Sequence, residues 1–170
     1  MQDDLFRDPE LITPPEPVLM SLNPEYYEWV WQGLKTHEFR RRYLTGRSTT
    51  WHVYLTAPVS RLTAVIDLDD AVVDTPQRIA EIAEQVHVGN GASVYEYMKD
   101  LERGVALPIR RVREYTGFTA AELTEMLGSF HPPQGYILVA KHPNWVAVCD
   151  KLTAGEVVRE MTVDHPATVK

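Results

Sequence analysis

The stretch that decides the fold is VLMSLNPEYYEWVWQGLKTHEFRRR, residues 18–42. It opens with a mostly apolar run, which is typical of a buried strand. Asn23 and Pro24 then favour the start of a helix, because asparagine caps helices and proline suits their first turn. Gly33 favours its end, since glycine readily takes the left-handed conformation found there. Beyond this glycine the chain is expected to extend again, so the stretch predicts a strand, a helix and a second strand.

Charged residues follow Gly33 at fixed offsets, in the pattern Gly-x-Lys-x-x-Glu-x-Arg formed with Lys35, Glu38 and Arg40. Residues two apart in a strand share a face, so Glu38 and Arg40 are expected to form an ion pair. An arginine can bind a phosphate or a base edge through two hydrogen bonds, and a carboxylate can accept one from an exocyclic amine. The pattern therefore predicts a polar ligand site. The alternative is that these charges only pair with each other or with a neighbouring strand.

This block resembles the ASCH domain, a small β-barrel of the PUA-like superfamily. Weaker similarity continues through residues 54–59, 106–115 and 132–136, so the resemblance covers about residues 18–152. It implies an α+β fold, a PUA-like mixed β-barrel with flanking short helices. It also implies binding of RNA or a nucleotide-like small molecule, with a role in RNA metabolism or transcription regulation.

The same resemblance implies which residues bind the ligand. In the family, the residues that match Lys35, Glu38 and Arg40 line a cleft beside the first helix. Basic, aromatic and polar residues complete the predicted binding set, namely Arg41, Arg42, Tyr54, Thr56 and Gln134. Trp51 and Tyr136 are further candidates for stacking on a base, with packing in the core as the alternative.

Two other functions stay open. Some members of the family are enzymes, either amidohydrolases that remove an acyl group from modified cytidine or ribonucleases. In an enzyme, Lys35 and Glu38 would be the catalytic residues, because burial and neighbouring cations lower the pKa of a lysine. The amidohydrolases have a threonine at the position of Glu38, so this chain lacks that hydroxyl nucleophile. The other open function is that of an interaction module that acts through protein partners.

The charge distribution bears on the ligand. The chain of 170 residues has a net charge of −7, whereas residues 35–47 carry five basic residues and one acidic residue. A basic island on an acidic body suits a local anionic ligand better than a long duplex. The alternative is a solvated strand edge, where charge prevents edge-to-edge association.

Several classes of site and compartment are disfavoured. Cys149 is the single cysteine, so a reducing, cytoplasmic environment is expected. No apolar window is long enough to span a bilayer, and a membrane partner is not expected. The six histidines form no His-x-x-x-His pair, and the chain has neither a phosphate loop nor a Cys-x-x-Cys motif. We therefore predict no metal and no cofactor.

The predicted organisation has three parts: an extended N-terminal arm at 1–17, an ASCH/PUA-like domain at 18–152 and a loosely held C-terminal tail at 153–170. Within the domain, further strands are predicted at 51–55, 62–68, 105–115 and 135–140. Further helices are predicted from residue 76 to a break at 89–91, and at 93–103, 119–127 and 145–152. The helices between 75 and 103 are additions to the small barrel. They are expected either to cover the cleft or to form a dimer contact.

Overall fold

A mixed sheet of eight strands frames the molecule in the computed structural model, which describes residues 13–165. The strands are β1 (Glu16–Leu22), β2 (His37–Arg40), β3 (Thr49–Leu55), β4 (Arg61–Leu68), β5 (Val72–Asp74), β6 (Gly104–Thr119), β7 (Ile137–Leu138) and β8 (Val157–Thr162). Their order is β2-β6-β4-β3-β1-β7, and β5 and β8 also pair with β6. Only β1 and β3 run parallel among these described pairs. The sheet curls into a half-barrel, and the predicted α+β class is confirmed.

Five α-helices flank the sheet within the described range, and their ends follow local signals. They are α1 (Pro24–Trp31), α2 (Pro76–Val86), α3 (Asn90–Met98), α4 (Ala120–Leu127) and α5 (Pro143–Ala154). The Asn23 side chain accepts a hydrogen bond of 2.8 Å from the backbone N–H of Glu25, and Thr119 and Glu122 form a reciprocal capping box. Gly33 has a φ of 76° just beyond α1. None of the helices in residues 13–165 has the length and apolar character that crossing a bilayer requires.

Three apolar clusters hold these elements together. The largest joins one side of the sheet to α1, and within it Trp51 and Tyr27 are almost wholly buried. A second joins the other side of the sheet to α4 and α5, and a third joins β6 to α2 and α3 through Ile79 and Met98. Phe39 of β2 packs against this third cluster. As a result, α3 lies beside the charged strand β2.

The two predicted boundaries of the domain differ from the structure. β1 begins at Glu16, and residues 157–162 form β8 on the long strand β6, so the prediction of a loose tail is wrong there. Val157 and Val158 remain 45% and 60% exposed, which means that β8 has no buried apolar stripe from which it could be predicted. Arg159 of β8 instead holds the strand in place, through ion pairs with Glu114 at 3.0 Å and Glu28 at 3.1 Å. The remainder of the arm and tail, residues 1–12 and 166–170, lies outside the described residues.

Two other elements also differ from expectation. Of the strand predicted at 135–140, only the two residues of β7 are observed, and a 3-10 turn at Val139–Lys141 follows them. The short strand β5 was not predicted. Both are too short for the alternation of apolar and polar residues to mark them.

Candidate functional site

A cavity of about 390 Å³ lies between α1, β2 and α3. β2 stands at one end of the strand order, so the cavity opens along a sheet edge. Polar groups and aromatic rings share its lining, which consists of Ser21, Leu22, Asn23, Tyr26, Trp29, Lys35, Glu38, Phe39, Arg40, Asn90, Ser93, Val94 and Tyr97. Such a volume lies in the range of small-molecule sites, about 300 to 1,000 Å³.

A buried cluster of three charges forms one side of this cavity. Oε1 of Glu38 lies 3.7 Å from Nζ of Lys35 and 3.9 Å from Nε of Arg40. The side chains of Lys35 and Glu38 are only 7% and 8% exposed. The guanidinium of Arg40 also donates a hydrogen bond of 3.1 Å to the backbone carbonyl of Ser21. Two cations therefore share one carboxylate, which leaves a net charge of +1 if all three groups are ionised.

The charged cluster has hydrogen-bonding capacity that the protein does not use. Glu38 Oε1 accepts from the backbone N–H of Phe39 at 3.0 Å, but Glu38 Oε2 has no hydrogen-bond partner within residues 13–165. The Nε of Arg40 lacks a hydrogen-bond partner in the same range. Buried polar atoms are nearly always paired, so such an exception calls for an explanation. Pairing both atoms would require a ligand that carries one hydrogen-bond donor and one acceptor.

Burial changes the proton affinity of this cluster. It lowers the pKa of Lys35 below the usual 10.5; the neighbouring Glu38 opposes this effect, and Arg40 adds to it. The Lys35 ammonium lies 5.2 Å from the centre of the Phe39 ring and 5.9 Å from that of Tyr26, so aromatic faces replace part of its lost hydration. On the same strand, burial, His165 and Lys35 lower the pKa of His37 to about 4. His37 is therefore neutral at pH 7 and adds no positive charge.

A second cavity, of about 430 Å³, adjoins the first. Arg40 and Tyr97 line both, and the second is completed by Arg41, Arg42, Leu101, Gln134, Gly135 and Tyr136. Arg41 donates to both carboxylate oxygens of Asp100 at 2.7 Å and to the carbonyl of Tyr97 at 2.6 Å. Its charge is therefore balanced, and it ties β2 to the end of α3.

Comparisons with solved structures identify this architecture. The crystal structure of ASCH from Zymomonas mobilis is 22% identical, with a TM-score of 0.69 over 81% of this chain and 95% of that chain. A Tyr-to-Phe variant of that protein matches at 22% identity and a TM-score of 0.69, over 81% of this chain and 98% of its own. A Ser-to-Ala variant matches at 21% identity and a TM-score of 0.70, over 85% and 100%. This chain has the ASCH-type fold. No protein-family model and no curated protein matches its sequence.

Within the ASCH-type fold, six of the predicted residues line the two cavities. Lys35, Glu38 and Arg40 come together in the first cavity, as their spacing predicts. The other three, Arg41, Arg42 and Gln134, line the second. Tyr136, a candidate for stacking, lies there too and is 36% exposed.

Two predicted residues, Tyr54 and Thr56, lie outside both cavities. Tyr54 is 2% exposed and packs in the second apolar cluster, with its ring centre 4.9 Å from that of Phe130. Thr56 follows β3, where its backbone N–H donates to the carbonyl of Leu22 at 3.1 Å. Trp51 is fully buried, but its ring lies beneath the guanidinium of Arg40 at 5.7 Å. Trp51 therefore packs against Arg40 from the core and does not line the first cavity.

Several lining residues escape prediction from the sequence. The spacing of Tyr26, Trp29 and Val30 suggests a face that packs against the barrel, but Tyr27 and Val30 are buried and Tyr26 is 45% exposed. Tyr26 and Trp29 instead form an aromatic wall, with their ring centres 5.1 Å apart. The aromatic pair three residues apart is the only sequence signal for this wall.

The helix α3, one of the two added helices between residues 75 and 103, contributes the remaining wall of the first cavity. The carboxylate of Glu84 accepts hydrogen bonds from the backbone N–H groups of Gly89 at 3.0 Å and Gly91 at 2.9 Å. This contact ties the start of α3 to α2. Asn90, Ser93 and Tyr97 thereby reach the cavity, although nothing in their residue types marks them as site residues. Among residues 13–165, no group of three or more His, Cys, Asp and Glu side chains could hold a metal.

Proposed function

We propose that this chain binds RNA or a nucleotide-like small molecule, with a planar base in the first cavity. The observation that carries the proposal is the buried carboxylate of Glu38, held between Lys35 and Arg40 with one oxygen unpaired among the described residues. A nucleobase presents donors and acceptors side by side on one edge. Its amine or ring N–H would donate to Glu38, and its carbonyl would accept from Lys35 or Arg40.

The walls of the cavity support the same ligand class. Tyr26, Trp29, Phe39 and Tyr97 bring aromatic rings to its lining. Unpaired bases in RNA are typically held by stacking on aromatic side chains and by hydrogen bonds to their edges. Asn23, Asn90 and Ser93 offer further hydrogen-bonding groups around the base. The ASCH-type fold agrees with this proposal, because the sequence resemblance implies nucleotide or RNA binding for such a cleft.

The replacement Glu38→Gln tests the binding proposal. It keeps the shape of the side chain but exchanges one acceptor oxygen for a donor, so we expect at least a tenfold loss of affinity, about 1.4 kcal/mol. Isothermal titration calorimetry against ribonucleosides, ribonucleotides and short single-stranded RNAs measures this loss. Glu125→Gln on the exposed side of α4 is the matched control and should bind as the wild type does. Absence of binding by the folded wild type, or equal affinities of the two variants, would contradict the proposal.

A hydrolase is the second candidate, and the lowered pKa of Lys35 is the observation that favours it. A neutral lysine amine can take a proton from water while the water oxygen attacks an acyl carbon. The bond between the acyl carbon and the exocyclic nitrogen of the nucleobase then breaks, and the Lys35 ammonium returns its proton to that nitrogen. The products are a carboxylic acid and the free exocyclic amine, and Lys35 is neutral again. This route uses water in place of the threonine hydroxyl that this chain lacks.

The hydrolase candidate predicts a specific pH profile. The rate of acyl release from acetylated cytidine should rise with pH through the lowered pKa of Lys35, because the neutral amine is the active form. Lys35→Met should reduce the rate by about 10² to 10⁴-fold, the usual contribution of a general base. Lys151→Met, at an exposed lysine of α5, is the matched control. Mass spectrometry of the product follows the reaction, and lack of turnover by the wild type removes this candidate.

A further inference from the structure

The two cavities are neighbours on the surface. They meet at Arg40 and Tyr97, which line both. The first has a buried acid and aromatic walls, whereas the second is lined by arginines, an exposed glutamine and an exposed tyrosine. A base-sized cavity therefore lies next to a groove lined by arginines.

Arg42 is the available cation of that groove. Arg41 is neutralised by Asp100, at 2.7 Å, and Arg40 is shared with Glu38 and the carbonyl of Ser21. Arg42 is exposed, and no carboxylate in the described part of the chain lies within ion-pair distance of it. An uncharged nucleoside in the first cavity would leave this guanidinium without a partner, whereas a phosphate can accept two hydrogen bonds from it.

Tyr136 stands at the groove with its ring held in place. Its ring centre lies 5.4 Å from that of Tyr43 in an edge-to-face contact, and the Tyr43 hydroxyl is fixed by a hydrogen bond of 2.7 Å to Thr49. The Tyr136 side chain is nevertheless 36% exposed. A fixed and accessible aromatic ring is a stacking surface for a base.

We infer that the ligand is a single-stranded oligonucleotide of at least two nucleotides. One base enters the first cavity, the following phosphodiester lies on Arg42, and the next base stacks against Tyr136. This inference rests on the proposed function and adds the class of ligand to it. A duplex does not fit, because a base held in a pair cannot enter the cavity between α1, β2 and α3, and the net charge of −7 disfavours binding by bulk attraction.

The test compares ligands that differ by one phosphate or one nucleoside. Affinities are measured for a ribonucleoside, the corresponding mononucleotides and the ribodinucleoside monophosphates that contain the same base. For the wild type, we expect the dinucleoside monophosphate to bind at least tenfold more tightly than the nucleoside. Arg42→Ala should reduce this ratio to about fivefold, the part that stacking of the second base supplies, and should reduce the slope of log affinity against log salt by about 0.7, the value for one phosphate contact on a single strand.

Tyr136→Ala tests the second base independently. It should weaken binding of the dinucleoside monophosphate about fivefold relative to the mononucleotide, as expected for loss of one stacked base. Arg111→Ala is the matched control for Arg42→Ala, since the Arg111 side chain is 43% exposed and pairs with Glu160 away from both cavities. Tyr95→Ala is the matched control for Tyr136→Ala, because Tyr95 is 37% exposed and lines neither cavity. Both controls should keep the wild-type ratios.

The outcomes separate this inference from the proposed function. If nucleoside and dinucleoside monophosphate bind equally well and both depend on Glu38, the proposed function stands and the strand inference is wrong. If a mononucleotide binds as tightly as the dinucleoside monophosphate, the ligand is a free nucleotide and the strand inference is again wrong. If no probe binds, both proposals fail.

Discussion

Replacement of Glu38 by alanine is expected to lower the free energy of unfolding by about 3 kcal/mol at neutral pH, as is usual when one partner of a buried ion pair is removed. The side chain of Lys35 is 7% exposed and has Glu38 as its carboxylate partner at 3.7 Å. Without that partner, a buried ammonium lies beside the Arg40 guanidinium. The cost comes from the uncompensated charge that remains, because the attraction within such a pair is largely offset by desolvation.

This loss of stability should depend on pH, and its sign follows from the pKa of Lys35. Burial and Arg40 lower this pKa in the folded protein, and only Glu38 opposes them, so the variant has a still lower pKa than the wild type. Between the folded pKa and the unfolded value of 10.5, the unfolded chain binds more protons, and stability increases with pH. The deficit of Glu38→Ala should therefore be greatest at neutral pH and should shrink as the pH approaches 10.5.

Urea denaturation at a series of pH values measures this deficit by linear extrapolation. Glu125→Ala, which removes an exposed carboxylate from α4, is the matched control and should show a small difference at every pH. The double replacement Lys35→Met with Glu38→Leu should recover most of the lost stability, since it removes both charges together. A deficit that is independent of pH and persists in the double variant would show that Glu38 acts by packing and not by its charge.

The parts of the site that the sequence predicts are those made within one short segment. Lys35, Glu38 and Arg40 lie within six consecutive residues, so the turn at Gly33 and the alternation of a strand suffice to bring them together. The helix caps at Asn23 and Thr119 are also local, because each hydrogen bond spans two or three residues. Local geometry therefore predicts the charged cluster and the order of most elements.

The remaining site residues depend on contacts between distant segments. Gln134 and Tyr136 meet Arg42 only after the sheet has formed, and α3 reaches the cleft by packing on β6. The position of Tyr54 outside both cavities has a related cause. β3 is buried on both faces, so the sequence alternation does not reveal which of its aromatic residues faces the cleft.

Gly117→Ala is expected to reduce the free energy of unfolding by about 3 to 4 kcal/mol, from left-handed backbone strain combined with steric overlap. Gly117 has a φ of 68° and lies where the register between β6 and β4 shifts, next to Leu62. An added Cβ would overlap the carbonyl oxygen of Leu62 and lie 2.8 Å from the Cα of Thr63. Since both neighbouring atoms belong to the backbone of a central strand, no side-chain rotation relieves the overlap.

Gly46→Ala separates the two contributions at Gly117. Gly46 has a φ of 84° and nothing within 4 Å of an added Cβ, so this variant carries the backbone strain alone, about 1 to 2 kcal/mol. Urea denaturation of both variants gives the difference, which we assign to the overlap with Leu62 and Thr63. Equal losses would mean that β4 and β6 can separate at this bulge without cost, and that the close approach of these strands does not help to hold the half-barrel in its curl.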